Sequence, residues 1–260
     1  MGKMNWMFFL GLIVGIVHLK AQTFSSKPST YGFSSLDSIH LSHFTQSYFN
    51  RDFSQKTHRI SDLRNGKEYH PPSELLAEGS FYFQSEDWTQ GSLIYNGEIF
   101  QNIPLKYDLN QDVLITYMDS YEQVIQFIPE KLGGFQIYGH TFFQYKSPNT
   151  SDSLALGIRS GIYEILYSGS SKILAKRIIH VDRTISGGKI EYHPLQENRY
   201  YIFHEQHYYP FNSLKSLFKI LDTEKSSLQT YISQEKIQYK KNPETTMVLL
   251  AKKLDQLSSP

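Results

Sequence analysis

Between residues 79 and 145 the chain alternates short aromatic or β-branched runs with turn residues, at a spacing that leaves no room for crossover helices. Parallel neighbours need a connection of a dozen or more residues, so this stretch is confined to antiparallel pairing. The runs fall at 79–83, 93–95, 98–100, 103–107, 113–117, 124–128, 134–138 and 141–145. Asn96-Gly97 stands between two of them. Both residue types tolerate positive φ, so the pair predicts a type I′ hairpin turn. A second hairpin is predicted from 161–167 and 172–179, turning through Ser168-Gly169-Ser170. Another turn follows at Ile185-Ser186-Gly187-Gly188, and 199–204 is the last expected strand. With 19 Tyr and 17 Phe, the chain is rich in the flat rings that pack well on a pleated surface.

After residue 210 the period changes. Leu214, Leu217, Phe218 and Leu221 follow helical spacing, with Asn212 or Ser213 available as cap. Leu228, Tyr231 and Ile232 mark a second helix within 223–232. Asn242-Pro243-Glu244 opens a third by cap, first-turn proline and first-turn acid, with Met247, Leu250, Ala251, Leu254 and Leu257 as its apolar face. The expected fold is mainly β (α+β): an antiparallel meander, sandwich or barrel-like body with a C-terminal set of two to three short helices packed on the sheet. The expected organisation is a signal peptide at 1–21, a polar arm at 22–78, a β-rich domain at 79–210 and a helical segment at 211–260. Within the arm, 35–53 fits a weak helix or a loop, and 59–72 reads as a connector ending at Pro71-Pro72. A polar break at 147–152 divides the body.

Lys3, an uncharged apolar run from Trp6 to Val17 and Ala21 match the three parts of a secretory signal, with cleavage before Gln22. The rival reading, a membrane anchor, wants about 20 apolar residues, and this run is shorter. Losing Lys3 and Lys20 leaves 24 basic residues against 25 acidic ones. Such a balance gives no footprint for nucleic acid, whose phosphates are met by clustered Lys and Arg. The chain has no cysteine, which excludes disulfides, thiolate sites and a lipid-modified cysteine at the cleavage site. The expected location is therefore periplasmic or secreted, without a membrane span after cleavage.

Motifs for chemistry come close and then fail. His204-Glu205-Gln206-His207 spaces its histidines by three, where a zinc-protease helix needs four, and His70 and His193 are the only suggested third ligands. Asp108, Asn110 and Asp112 imitate a calcium loop, but Val113 stands where the loop needs Gly. The better reading is a tight turn whose side chains bond local backbone. Ser216 to Lys219 and Ser233 to Lys236 match Ser-x-x-Lys without companion motifs, and Gly157 to Gly161 has the wrong spacing for a nucleophile elbow. Glu86-Asp87 is a carboxylate pair suited to acid–base work on a glycan only if both lie in a loop. No catalytic, metal or cofactor site is assigned.

Trp88, Gly91, Tyr95-Asn96-Gly97, Phe100, Leu105-Lys106-Tyr107-Asp108 and Asp112 resemble a family of functionally uncharacterised exported proteins common in Bacteroidota. Residues 163–169 and 214–231 are similar to that family's second hairpin and helical tail, so the resemblance covers roughly 79–257. The third helix departs from the family's aromatic, asparagine-rich ending. The resemblance implies a cell-envelope location and brings no catalytic residues. The leading expectation is a non-catalytic envelope or secreted binding or structural protein, whose partner is another envelope protein or a glycan. The alternatives are a carrier holding an apolar or glycan ligand in a β cavity lined by Tyr95, Phe127 and Tyr163, and a hydrolase with a dispersed site.

Overall fold

A computed structural model describes residues 63, 66–73, 76, 78–118, 123–146 and 157–258. The signal segment, the stretch at 35–53 and the polar break at 147–152 lie outside these residues. The strands are β1 (Lys67–Glu68), β2 (Thr89–Tyr95), β3 (Glu98–Asp108), β4 (Val113–Met118), β5 (Gln123–Gln126), β6 (Leu132–Ile137), β7 (His140–Tyr145), β8 (Gly161–Ser168), β9 (Lys172–Ser186), β10 (Lys189–His204) and β11 (His207–Phe211). Helices α1 (Leu214–Ile220), α2 (Lys225–Gln234) and α3 (Pro243–Ser258) follow.

All eleven strands join one sheet in the order β1-β5-β4-β3-β2-β6-β7-β8-β9-β10-β11. Two meanders run in opposite directions from the β2–β3 hairpin, and the sheet stays open, with edges at β1 and β11. Asn96 (φ 53°) and Gly97 (φ 80°) form the expected two-residue turn, with Tyr95 opposite Glu98. Strand β3 is shared: its first part pairs with β2, and Lys106 to Asp108 pair with β4. All described residues belong to one compact unit.

Rings fill the main core. Phe135 stacks on Phe142 at 4.8 Å, and Tyr107 meets both edge-on at 5.5 and 5.4 Å. Tyr95 meets Phe127 edge-on at 5.1 Å. Full burial of each such ring is worth about 1.5–3 kcal/mol. Residues of alternate parity along β7–β10 point to the other face, where Phe143, Tyr163, Leu174 and Phe203 form a separate cluster with Tyr208. The helices bury a third cluster, with Leu217, Leu228, Met247 and Leu250 gathered over Ile173 and Ile202. Ser213 caps α1 through a reciprocal pair of bonds with Ser216.

Several expectations change. Residues 79–83 do not form a strand; Phe83 and Leu109 each donate one backbone bond across to the 107–81 neighbourhood, and Gln84 (φ 64°) turns the chain away. The runs at 98–100 and 103–107 are one strand, in which Asn102 at positive φ (55°) is accommodated where the register against β2 shifts. Strands β9 and β10 extend far beyond 172–179 and 199–204, in unbroken register from Lys172↔Phe203 to Ser186↔Lys189. β11 was not expected; Glu205 (φ 48°) and Gln206 (φ 64°) make a tight turn without glycine. Leu257 is exposed, where helical spacing puts it on the apolar face, because the buried stripe of α3 ends at Leu254.

Candidate functional site

The buried charges of the sheet form a chain of bonds from β7 to α3. Glu164 of β8 accepts Arg177 Nε at 2.6 Å and lies 2.5 Å from His140 Nδ1. Arg177 then donates through both terminal nitrogens to Glu244, at 2.6 and 3.0 Å, a bidentate geometry that fixes orientation as well as charge. Tyr200 OH donates to the same carboxylate at 2.8 Å. At the other end Gln84 Nε2 sits 2.9 Å from His140 Nε2, and Phe83 meets the imidazole edge-on at 5.1 Å. A ring that donates from Nδ1 and accepts at Nε2 satisfies both contacts. The arrangement has the orienting carboxylate of a general-base histidine. Its outer nitrogen, however, faces an amide in place of a nucleophile or substrate pocket.

Other carboxylates also hold elements together. Asp108 accepts the backbone N–H groups of Asn110 and Gln111 at 2.8 and 2.9 Å, which is the local turn read from the sequence. Its second oxygen accepts Tyr69 OH at 2.7 Å, and burial pushes that phenol's pKa well up. Asp112 accepts Tyr107 OH at 2.7 Å and Lys176 Nζ at 2.5 Å, tying the β3–β4 turn to β9. Asp255 reaches from α3 to accept Tyr167 OH and the backbone N–H groups of Ser170 and Ser171, so the helix caps the β8–β9 turn. Glu244 and Asp255 thus fasten the two ends of one helix.

The remaining sequence candidates disperse. Tyr95 and Phe127 touch in the main core, and Tyr95 OH accepts Ile128 N–H at 3.4 Å. Tyr163 lies in the cluster on the opposite face, donating to Arg159 carbonyl at 2.9 Å. The structure therefore does not bring the three rings into one lining. His204 and His207 are cross-strand partners flanking the β10–β11 turn. No cluster of three potential metal ligands occurs among the described residues. Ser216 is spent on the α1 cap, and Ser233 donates to Gln229 carbonyl. Glu86 and Asp87 do lie in a loop, exposed, with Asp87 N–H bonded to Ser85 Oγ at 3.0 Å.

Two surface features escaped sequence reading. Lys106 places its ammonium 4.5 Å from the Trp88 ring centre and 4.9 Å from that of Tyr82, while Trp88 meets Tyr117 edge-on at 4.9 Å. These residues are far apart in sequence, and the Tyr82–Asp108 bridge with the registers of β2, β3 and β4 joins them. The second feature is the outer part of the β9–β10 hairpin. Strand β8 reaches β9 only as far as Ala175, and β11 pairs with β10 only from Tyr200 to His204. The resulting ribbon is braced at its base by Leu109 and Asn110 at Ile179, and nearer its tip by Leu76 beside Tyr192. Its tip exposes Ile185 and Ile190, which stand directly opposite each other. The signal was present as two isoleucines flanking Ser186-Gly187-Gly188-Lys189, a loop too short for anything except a hairpin.

Fold and surface together define an open antiparallel β-sheet protein with a helical tail and a projecting two-stranded ribbon. Compared with family models, with curated proteins and with solved structures, the chain finds no match.

Proposed function

We propose that this chain is an exported envelope or secreted protein that acts by binding another envelope protein, without catalysing a reaction. The observation that carries the reading is the ribbon tip. A two-stranded hairpin is marginal alone in water, and this one presents an apolar cross-strand pair to solvent. A partner surface would bury that pair. The carboxylates Asp108, Asp112, Glu164, Glu244 and Asp255 accept bonds that hold strands, turns and α3 in place, which fits a scaffold. Export is supported by the signal-like segment at 1–21, and an envelope location by the family resemblance over 79–257. Among the described residues no helix is long and apolar enough to cross a membrane. The carrier reading draws less support, since Tyr163 is separated from Tyr95 and Phe127.

The test is retention of an envelope protein from extracts by the wild-type chain and by an Ile185→Asp/Ile190→Asp variant of equal melting temperature. Retention by the first and loss by the second is expected. Equal retention, or none by either, contradicts the reading.

A further inference from the structure

The patch on β2–β4 lies several strands from the ribbon and has its own chemistry. Trp88, Tyr82 and Tyr117 are each partly exposed; Trp88 and Tyr82 flank Lys106, and Tyr117 packs against Trp88. Among the described residues that ammonium makes no hydrogen bond or ion pair; its contacts are the two ring faces. Burial between the rings lowers its pKa, and Glu86 and Asp87 act in the opposite direction from nearby. Both carboxylates are exposed on the loop that leads into Trp88. The patch therefore offers, side by side, apolar ring surface, a cation with unused N–H donors and carboxylate acceptors.

Each candidate ligand class makes a different demand. A polyanion would meet two carboxylates around a single ammonium. A quaternary ammonium would need the ring faces that Lys106 already occupies. A sugar ring suits all three elements: its C–H face lies on an aromatic ring, its hydroxyls donate to carboxylates, and they accept from the ammonium. We infer that the Trp88–Lys106–Tyr117 patch, with Glu86 and Asp87, is a binding site for a neutral glycan chain. The inference does not rest on the ribbon and extends the binding role to a second class of partner.

Calorimetric titration of the full chain with chitotetraose and cellotetraose, and with a sulfated oligosaccharide as the polyanion control, tests this. At least one neutral tetrasaccharide should bind, and Trp88→Ala should weaken it by about tenfold or more, the scale of one lost ring contact. Because Trp88→Ala can also disturb folding, Glu86→Gln and Asp87→Asn provide the second arm. Both sites are exposed, so the melting temperature should hold while affinity falls by about threefold to tenfold, the worth of one hydrogen bond. The inference is overturned if neither tetrasaccharide binds, if the sulfated chain binds in preference, or if the loop variants bind as well as wild type. Cleavage of a bound tetrasaccharide would instead overturn the non-catalytic reading. Loss of glycan binding with ribbon-dependent capture intact would leave that reading standing.

Discussion

The β9–β10 hairpin carries an isoleucine pair at each end, and the two pairs meet opposite fates. Ile173 and Ile202 are cross-strand partners, each 1% exposed beneath the helices. Ile185 and Ile190 are also cross-strand partners, yet they are 71% and 49% exposed. Residues 173 and 185 are an even number of positions apart, so both belong to the same face of the strand. Residue type and pleat are therefore the same at the two ends, and only the neighbours differ. At the inner end β8, β11 and the helical tail cover the hairpin. At the outer end Ile185 and Ile190 stay open to solvent. The comparison separates what the hairpin gives to folding from what it keeps for contact.

The sharpest break is expected between the two ends, at Arg177. It is buried, and Glu164 beside it is only 3% exposed. Arg177→Met would leave that carboxylate without its cation, at a cost of about 3–5 kcal/mol in urea denaturation. Next, Ile173→Ala should cost about 2–5 kcal/mol by leaving a cavity under α1–α3. Ile185→Ala should change stability by no more than about 0.5 kcal/mol, as at an exposed site. Equal losses for the two isoleucines would erase the distinction.

Gly97→Val probes a hairpin of the core in the same way. Space is not the obstacle, since a Cβ at Gly97 would meet nothing within 4 Å. Its φ of 80° is the obstacle, and a β-branched residue there should cost about 1 kcal/mol or more in the same denaturation assay.

A last stability effect, read from its pH dependence, concerns Glu244. Burial pushes its carboxyl up, but the hydrogen bonds from Arg177 and Tyr200 outweigh that and leave it below its ordinary range. A carboxylate depressed in the folded state adds stability that is present above its unfolded pKa of about 4.3. That contribution fades as pH falls through the lower folded value. The stability gap between wild type and Glu244→Gln should hold at neutral pH and close under acid. A gap that widens below pH 4 or so would contradict the assigned pairing.

The sequence made the interior legible and left the surface obscure. Asn96-Gly97, the aromatic runs from residue 93 onward and the Asn242-Pro243-Glu244 start each encode local backbone preference, and the corresponding turn, strands and helix are present, whereas the run at 79–83 forms no strand. The outer ribbon was hidden because its strands, exposed or at most half-buried beyond Ile179, lack the apolar alternation that a buried face imposes. The β10–β11 turn was hidden because Glu205 and Gln206 adopt positive φ against their preference. Long-range groupings had no local signature at all. Lys106 is an ordinary lysine in a strand until the 82–88 segment brings Tyr82 and Trp88 onto it and β4 sets Tyr117 against Trp88. Likewise, Glu244 reads as a first-turn helix acid, and its bidentate bond to Arg177 follows only from where α3 docks.

Photo-crosslinking in cells, with the reactive group placed at position 190 and, as control, at position 257, addresses the assignment of the ribbon tip directly. Ile190 and Leu257 are both exposed apolar sites, one on the ribbon and one on the helical tail. A discrete adduct with one other protein from position 190, absent from position 257, is the predicted result. Adducts from both positions alike, or from neither, would contradict it.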